Sequence, residues 1–203
     1  MSLVFYYAPM STAVTVHWAL EELGIPYERV DIDLRAGDTQ KPGYLALNPN
    51  GKVPLVVHDG VPIFESAAIV IHLGETFGVE RGLFPAPGLE RAEAIKWLVW
   101  TNVSLAGAVG RFLDNTCDPI PAERKNAKAG ELARAEAERL LGILDAELAG
   151  KTFLVGERFS LVDVHLASFV RWMTFVGFAI DRWSSLHAWF QRATARPSHA
   201  KAA

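Results

Sequence analysis

The sequence predicts a small α/β domain followed by an all-α domain. Three observations carry this. Strand and helix signals alternate through residues 1–80 of the 203-residue chain. Two prolines and two glycines then cluster within residues 82–88, the composition of a linker. No strand signal follows them. The expected division is residues 1–80, a linker at 81–88, and a helical domain at 89–203.

Each element has a local reason. Residues 3–7, Leu-Val-Phe-Tyr-Tyr, are β-prone. Over residues 11–23, Ala13, Val16, Leu20 and Leu23 recur at helical spacing, and Gly24 supplies a stop. Val30, Ile32 and Leu34 alternate with charged residues, which predicts a strand over 30–34. Strand, helix and strand at this spacing make a βαβ unit with a parallel pair. Residues 36–51 are rich in Gly, Pro and Asn and predict a loop. Asp59-Gly60 between the apolar runs 54–58 and 61–64 predicts a tight hairpin, because both turn positions favour positive φ. Ser66 is the expected N-cap of a helix carrying Ala67, Val70, Ile71 and Gly74 on one face.

The second domain reads as helices over 89–112 and 123–148, with others starting at Ser160 and near Ser184. Leu132, Leu140, Ile143, Leu144 and Leu148 are the expected apolar positions of the second. Ser160 and Asp163 stand at capping-box spacing, and Phe159 and Val164 at the spacing of a hydrophobic staple.

Composition narrows the function. Half of the residues are hydrophobic, with six Trp, eleven Phe and four Tyr, so disorder is excluded. A net charge of −3 offers no basic surface for nucleic acid, and no nucleic-acid or membrane partner is expected. No basic segment leading into a long apolar run opens the sequence, so no secretory leader is expected. The apolar stretch 97–113 is interrupted by Thr101, Asn102, Ser104 and Arg111, and it is short for a membrane span. The expectation is a buried helix. One cysteine, Cys117, rules out a disulfide within the chain and argues against a Cys-based metal site. A reducing compartment such as the cytoplasm fits. The six histidines (17, 58, 72, 165, 187, 199) show no metal-ligand spacing, so no metal is expected. Phosphate-loop, nucleophile-elbow and zinc-protease motifs do not occur.

Four short matches, in order along the chain, carry a family resemblance: Tyr6-Tyr7-Ala8-Pro9-Met10-Ser11 leading into the first helix, Asn48-Pro49-Asn50-Gly51-Lys52-Val53-Pro54, Glu65-Ser66, and Phe159-Ser160-Leu161-Val162-Asp163. With the β-α-β-β-β-α order and the helices after it, the chain resembles the soluble glutathione S-transferases, and bacterial members most closely in length. The resemblance implies a thioredoxin-like first domain, a helical second domain, the glutathione transferase fold and a homodimer. It implies glutathione as co-substrate, no tightly bound cofactor and a detoxifying conjugation to small hydrophobic electrophiles.

The same resemblance assigns roles. Val53-Pro54 looks like the family's cis-proline dipeptide. It would present the Val53 N–H and C=O to the cysteinyl part of glutathione as an added strand, unless Pro54 merely begins an edge strand. Glu65 and Ser66 would hold the γ-glutamyl end at a helix N-terminus. Lys52 would meet the glycyl carboxylate, and Lys41 is a looser candidate. The reaction needs glutathione as a thiolate. Lowering a thiol pKa by about two units takes ~2.7 kcal/mol of preferential thiolate stabilisation. A hydroxyl donor and a helix N-terminus can supply it. Ser11 matches the serine of serine-using classes, although it could simply cap the first helix. Thr12 is the rival donor, and Tyr6 and Tyr7 are weaker ones.

Two departures limit the match. The bacterial beta class has a cysteine after this serine, where this chain has Thr12. That class also carries an asparagine and a histidine on its first long helix, where alignment gives Val99 and Ala106. Trp100, Val103 and Phe112 are the candidates for an acceptor pocket, with packing in the core as their other reading. Cys117 is expected to be a bystander. A glutathione-dependent isomerase, dehalogenase or peroxidase, or a non-catalytic binding protein, remains an alternative on this scaffold. A thioredoxin-type oxidoreductase is disfavoured because residues 7–15 contain no cysteine.

Overall fold

Strand β1 (Leu3–Tyr7) occupies an inner position of a mixed four-stranded sheet. After helix α1 (Ala13–Leu23) the chain returns as β2 (Glu28–Asp31), parallel to β1 with Phe5 opposite Arg29. Strands β3 (Leu55–His58) and β4 (Val61–Phe64) complete the order β2-β1-β3-β4, with Phe5 opposite Val56 across the antiparallel β1–β3 pair. The protein is described by a computed structural model covering residues 2–202.

The hairpin forms as expected, with φ of 47° at Asp59 and 83° at Gly60. The second strand departs from expectation: it spans 28–31 rather than 30–34. Ile32 makes the last link, its N–H donating to Tyr7 O at 2.7 Å. Asp33 then turns the chain by accepting from the backbone N–H groups of Arg35 and Ala36. The expected loop over 36–51 contains a short helix, α2 (Pro42–Leu45).

Helix α3 (Ser66–Leu73) packs against the sheet beside α1. Ser66 is its first helical residue and not its N-cap, as the sequence suggested; Glu65 holds the cap position at φ 70°. Phe5, Val16, Leu20, Val56, Ile69 and Leu73 form the core of this half. Phe84, from the segment expected as a linker, wedges onto Gly74, where a Cβ would meet the Phe84 ring at 2.5 Å. That segment is packed against the helix end before it.

The second half contains α4 (Leu89–Trp100), α5 (Ala106–Thr116), α6 (Ala127–Leu148), α7 (Leu161–Phe175), α8 (Ser184–Thr194) and α9 (Pro197–Ala202). A wide, π-type turn over Thr101–Leu105 joins α4 to α5. The stretch 97–113 lies on this rod. It is buried along one face only, since Val99 and Val103 are exposed. Among the described residues no helix is long and apolar enough to cross a membrane.

Helix α6 starts at Ala127 and not at Glu123, because Asn126 caps it by accepting from the Ala129 N–H at 3.0 Å. Leu132 and Ile143 are exposed, off the buried stripe of Ala133, Ala137, Leu140, Leu141, Leu144 and Leu148. The capping box of α7 is present as expected. Asp163 accepts from the Ser160 N–H at 2.9 Å, and also from the Leu154 N–H and Trp189 Nε1. The buried Asp163 thus joins three segments of the helical half. Helices α7 and α9 pack on α1 and seat this half against the first.

Candidate active site

The Val53–Pro54 peptide bond is cis. The residues before it are held from behind: Tyr44 Oη and Asn48 Nδ2 both donate to the Lys52 carbonyl, at 2.6 and 2.7 Å. The buried Asn48 also accepts from the Asn50 N–H at 3.1 Å. Gly51 adopts φ 59°, and a Cβ there would meet Gln40 Nε2 at 2.5 Å. The Asn-Pro-Asn-Gly stretch is thus a scaffold that fixes the backbone at residue 53.

A cavity of about 360 Å³ opens over this backbone, between the two halves. Thr12, Lys52, Val53, Pro54, Glu65 and Ser66 border it from the first half. Asn102, Val103, Ala106, His165 and Phe169 border it from the second. One wall is polar, with an ammonium, a carboxylate and the hydroxyls of Thr12, Thr15 and Ser66, and the other is partly apolar. A second cavity of similar size, between Phe84, Glu90 and Arg158, contains no hydroxyl–peptide arrangement of this kind.

The two candidate hydroxyls separate clearly. Ser11 Oγ donates to Ala8 O at 2.7 Å and accepts from the Ala13 N–H at 3.1 Å. It ties the end of β1 to the start of α1 and does not border the cavity. Thr12 borders the cavity, and its Oγ1 donates to Val53 O at 3.3 Å. Tyr6 packs on Tyr44, and Tyr7 packs between Phe5 and the Arg29 guanidinium. Neither tyrosine borders the cavity.

The basic candidates divide in the same way. Lys52 borders the cavity. Lys41 lies outside it and pairs with Asp38 Oδ1 at 2.6 Å, an interaction that raises its pKa. Of the acceptor-pocket candidates, Val103 borders the cavity. Trp100 packs on Trp97, and Phe112 packs on Phe178.

Sequence reasoning missed four residues of the second wall and floor: Thr15, Asn102, His165 and Phe169. Asn102 stands three positions after Val99, where alignment had placed an apolar residue. Nδ2 of Asn102 donates to Ser66 Oγ at 3.3 Å. His165 is almost fully buried, with Nε2 also 3.3 Å from Ser66 Oγ. Burial pushes its pKa down to about 4, so the ring is neutral near pH 7. No spacing rule points from residue 165 to residue 66. Only the packing of α7 on α3 joins them. Among the described residues no group of three or more His, Cys, Asp or Glu could hold a metal ion.

Comparison with known proteins decides the family. The model of the glutathione S-transferase N-terminal domain matches residues 1–75, and that of the C-terminal domain matches residues 116–197. Glutathione S-transferase GstB of Escherichia coli strain K12 is 35% identical over 181 residues, 88% of this chain and 86% of that protein. The chain belongs to the glutathione S-transferase family. A second relative from the same strain, the disulfide-bond oxidoreductase YfcG, is 28% identical over 97% of this chain and 92% of its own length. Among solved structures, a glutathione transferase from Burkholderia graminis with two glutathione molecules bound per subunit is 28% identical. It superposes with a TM-score of 0.87, covering 99% of this chain and 87% of that one. The sheet order and the helical second half are the family's fold, a thioredoxin-like domain followed by a helical one.

Proposed function

We propose that the cavity binds glutathione and presents its thiolate to a small hydrophobic electrophile. The observation that carries this is the single cavity shared by the cis Val53–Pro54 backbone, the Glu65-Ser66 helix start and the Thr12 hydroxyl. The Val53 N–H and C=O pair with the cysteinyl unit as an added strand. Glu65 answers the ligand's ammonium, Ser66 and the N-terminus of α3 take the γ-glutamyl carboxylate, and Lys52 takes the glycyl carboxylate.

Thr12 is the thiolate donor in this reading, and Ser11 is not. The Ser11 hydroxyl is engaged with the backbone on both its donor and acceptor sides. Thr12 leans on the Val53 carbonyl. The ligand's cysteinyl N–H takes over that carbonyl, and the Thr12 hydrogen turns to the sulfur. The thiolate then attacks the electrophile, forming a C–S bond as the leaving group departs or the double bond takes up a proton. Val103, Ala106 and Phe169 supply the apolar surface for the acceptor. Two subunits pair as a homodimer in the cytoplasm, and the conjugation serves detoxification.

A second reading is glutathione-dependent disulfide reduction. The oxidoreductase relative and the pair of glutathione molecules in the Burkholderia structure favour it. Residues 7–15 offer no cysteine, so both sulfurs of the oxidised product come from glutathione. Two glutathione thiols reduce one disulfide to two thiols, and glutathione disulfide leaves. Calorimetry with glutathione, followed by a panel of electrophiles, hydroperoxides and small disulfides, tests both readings. Saturable binding weakened by Glu65→Ala is expected. No binding at millimolar glutathione overturns both and leaves a non-catalytic protein on this fold.

A further inference from the structure

Ser66 Oγ is approached by two side chains, and both come from the other domain. Asn102 Nδ2, in the turn between α4 and α5, lies 3.3 Å away and donates to it. His165 Nε2, on α7, lies at the same distance. Ser66 and His165 are both buried. A serine hydroxyl has one hydrogen to give and two lone pairs to receive. Asn102 occupies one lone pair. What remains depends on which nitrogen of His165 carries its proton.

Nδ1 of His165 decides that. It is buried, with no hydrogen-bond partner in the protein. A buried N–H without an acceptor is rarer and costlier than a buried lone pair without a donor. The neutral ring therefore carries its proton on Nε2 and leaves a bare lone pair at Nδ1. The depressed pKa keeps Nδ1 unprotonated at neutral pH. Nε2–H then donates to Ser66 Oγ and occupies the second lone pair.

We propose that His165 and Asn102 saturate the acceptor sites of Ser66, so that its hydroxyl hydrogen is the one group left to face the cavity. Ser66 becomes a fixed donor that reads a carboxylate and discriminates against an N–H group at the same place. His165 is a positioning residue, acting on the ligand through Ser66. The inference rests on the proposed binding of glutathione, whose γ-glutamyl carboxylate it assigns to this hydroxyl. In the opposite tautomer Ser66 would give its hydrogen to the imidazole and have none for the ligand.

Two measurements test this. Nitrogen-15 spectra of the intact protein, with His165 assigned by its loss in His165→Gln, should show the Nε2–H tautomer; the Nδ1–H tautomer overturns the proposal. The second compares glutathione with an analogue whose γ-glutamyl carboxylate is a carboxamide. Wild type should prefer the carboxylate by about tenfold or more, the range of one charge-assisted hydrogen bond. His165→Leu should lose most of that preference. His165→Gln, whose amide nitrogen reaches the position of Nε2, should regain it. A merely structural role would weaken both ligands alike, and an unchanged preference in His165→Leu also overturns the proposal. If His165→Leu does not fold, Asn102→Ala and the wild-type spectrum give the answer. Wild-type protein that binds neither ligand overturns the function proposed above, and with it the ligand half of this inference, whichever tautomer the ring shows.

Discussion

Arg196 closes on Glu22 across the domain boundary, its Nε 3.0 and 3.1 Å from the two carboxylate oxygens. The Glu22 side chain is only 6% exposed, and Ser198 donates to it as well. Ser198 also accepts from Trp18 Nε1, so α9 and the residue before it are fastened to α1 at three points. Removing the guanidinium leaves a buried carboxylate short of partners. Arg196→Ala should cost about 2–3 kcal/mol, discounted for the part-exposed arginine. At this chain length that lowers Tm by roughly 4–12 °C. A thermal melt checks it, and an unchanged midpoint would show that the clamp contributes nothing.

Ser11 and Thr12 should separate stability from rate. Ser11→Ala removes two backbone hydrogen bonds and should cost about 1 kcal/mol of stability. Thr12→Ala should leave the melt nearly unchanged, lower kcat/KM by roughly 10–100-fold and raise the pKa of the bound thiol. Steady-state conjugation rates with ultraviolet titration of bound glutathione give both quantities. A larger rate loss in Ser11→Ala would return the donor role to that serine.

The two lysines should behave differently. Lys52→Ala should weaken glutathione binding by about 5–50-fold, the value of a charge-assisted contact to a carboxylate. Lys41→Ala, away from the cavity and paired with Asp38, should leave binding within about twofold. Calorimetric titration of the two variants side by side distinguishes them.

Acid should loosen the fold through its buried and half-buried histidines. Burial lowers the pKa of His165 to about 4. It also leads the downward shifts of His17, His72 and His199, aided by Arg29, His58 and Arg171 respectively. A histidine whose folded pKa lies below its unfolded value binds its proton first in the unfolded chain. Its contribution is complete above about pH 6.5 and is lost as pH falls towards the folded value. For His165 that window runs from about pH 6.5 to about pH 4, at roughly 1.4 kcal/mol per pH unit. Urea unfolding near pH 7.5 and pH 5 should show the wild type losing stability more steeply than His165→Gln. Parallel losses would place the acid sensitivity elsewhere.

Much of the fold was legible because its signals are local. Asp59-Gly60 demands a hairpin, Gly24 ends α1 at φ 61°, and Ser160 with Asp163 announces α7. The boundaries that slipped were set by side chains reaching back to the chain: Asp33 at the end of β2 and Asn126 at the start of α6. The first wall of the site was legible through short motifs, because backbone geometry at Val53-Pro54 and Glu65-Ser66 is encoded where it occurs. The second wall was not. Trp100 and Phe112 pack on Trp97 and Phe178, and an apolar residue on a helix carries no local mark that separates such packing from a pocket wall. Asn102 and His165 acquire their roles only through contact with a hydroxyl far away in sequence.

The shared cavity has a consequence for engineering. Relatives of this fold invite recombination at the linker, with one half kept for the thiol and the other exchanged for a new acceptor. Here such a graft would carry away the two side chains that touch Ser66. A chimera built on residues 1–80 needs an amide and an imidazole, or their equivalents, restored on the incoming helices. Without them the exchanged half alters the inherited end of the cavity together with the new one.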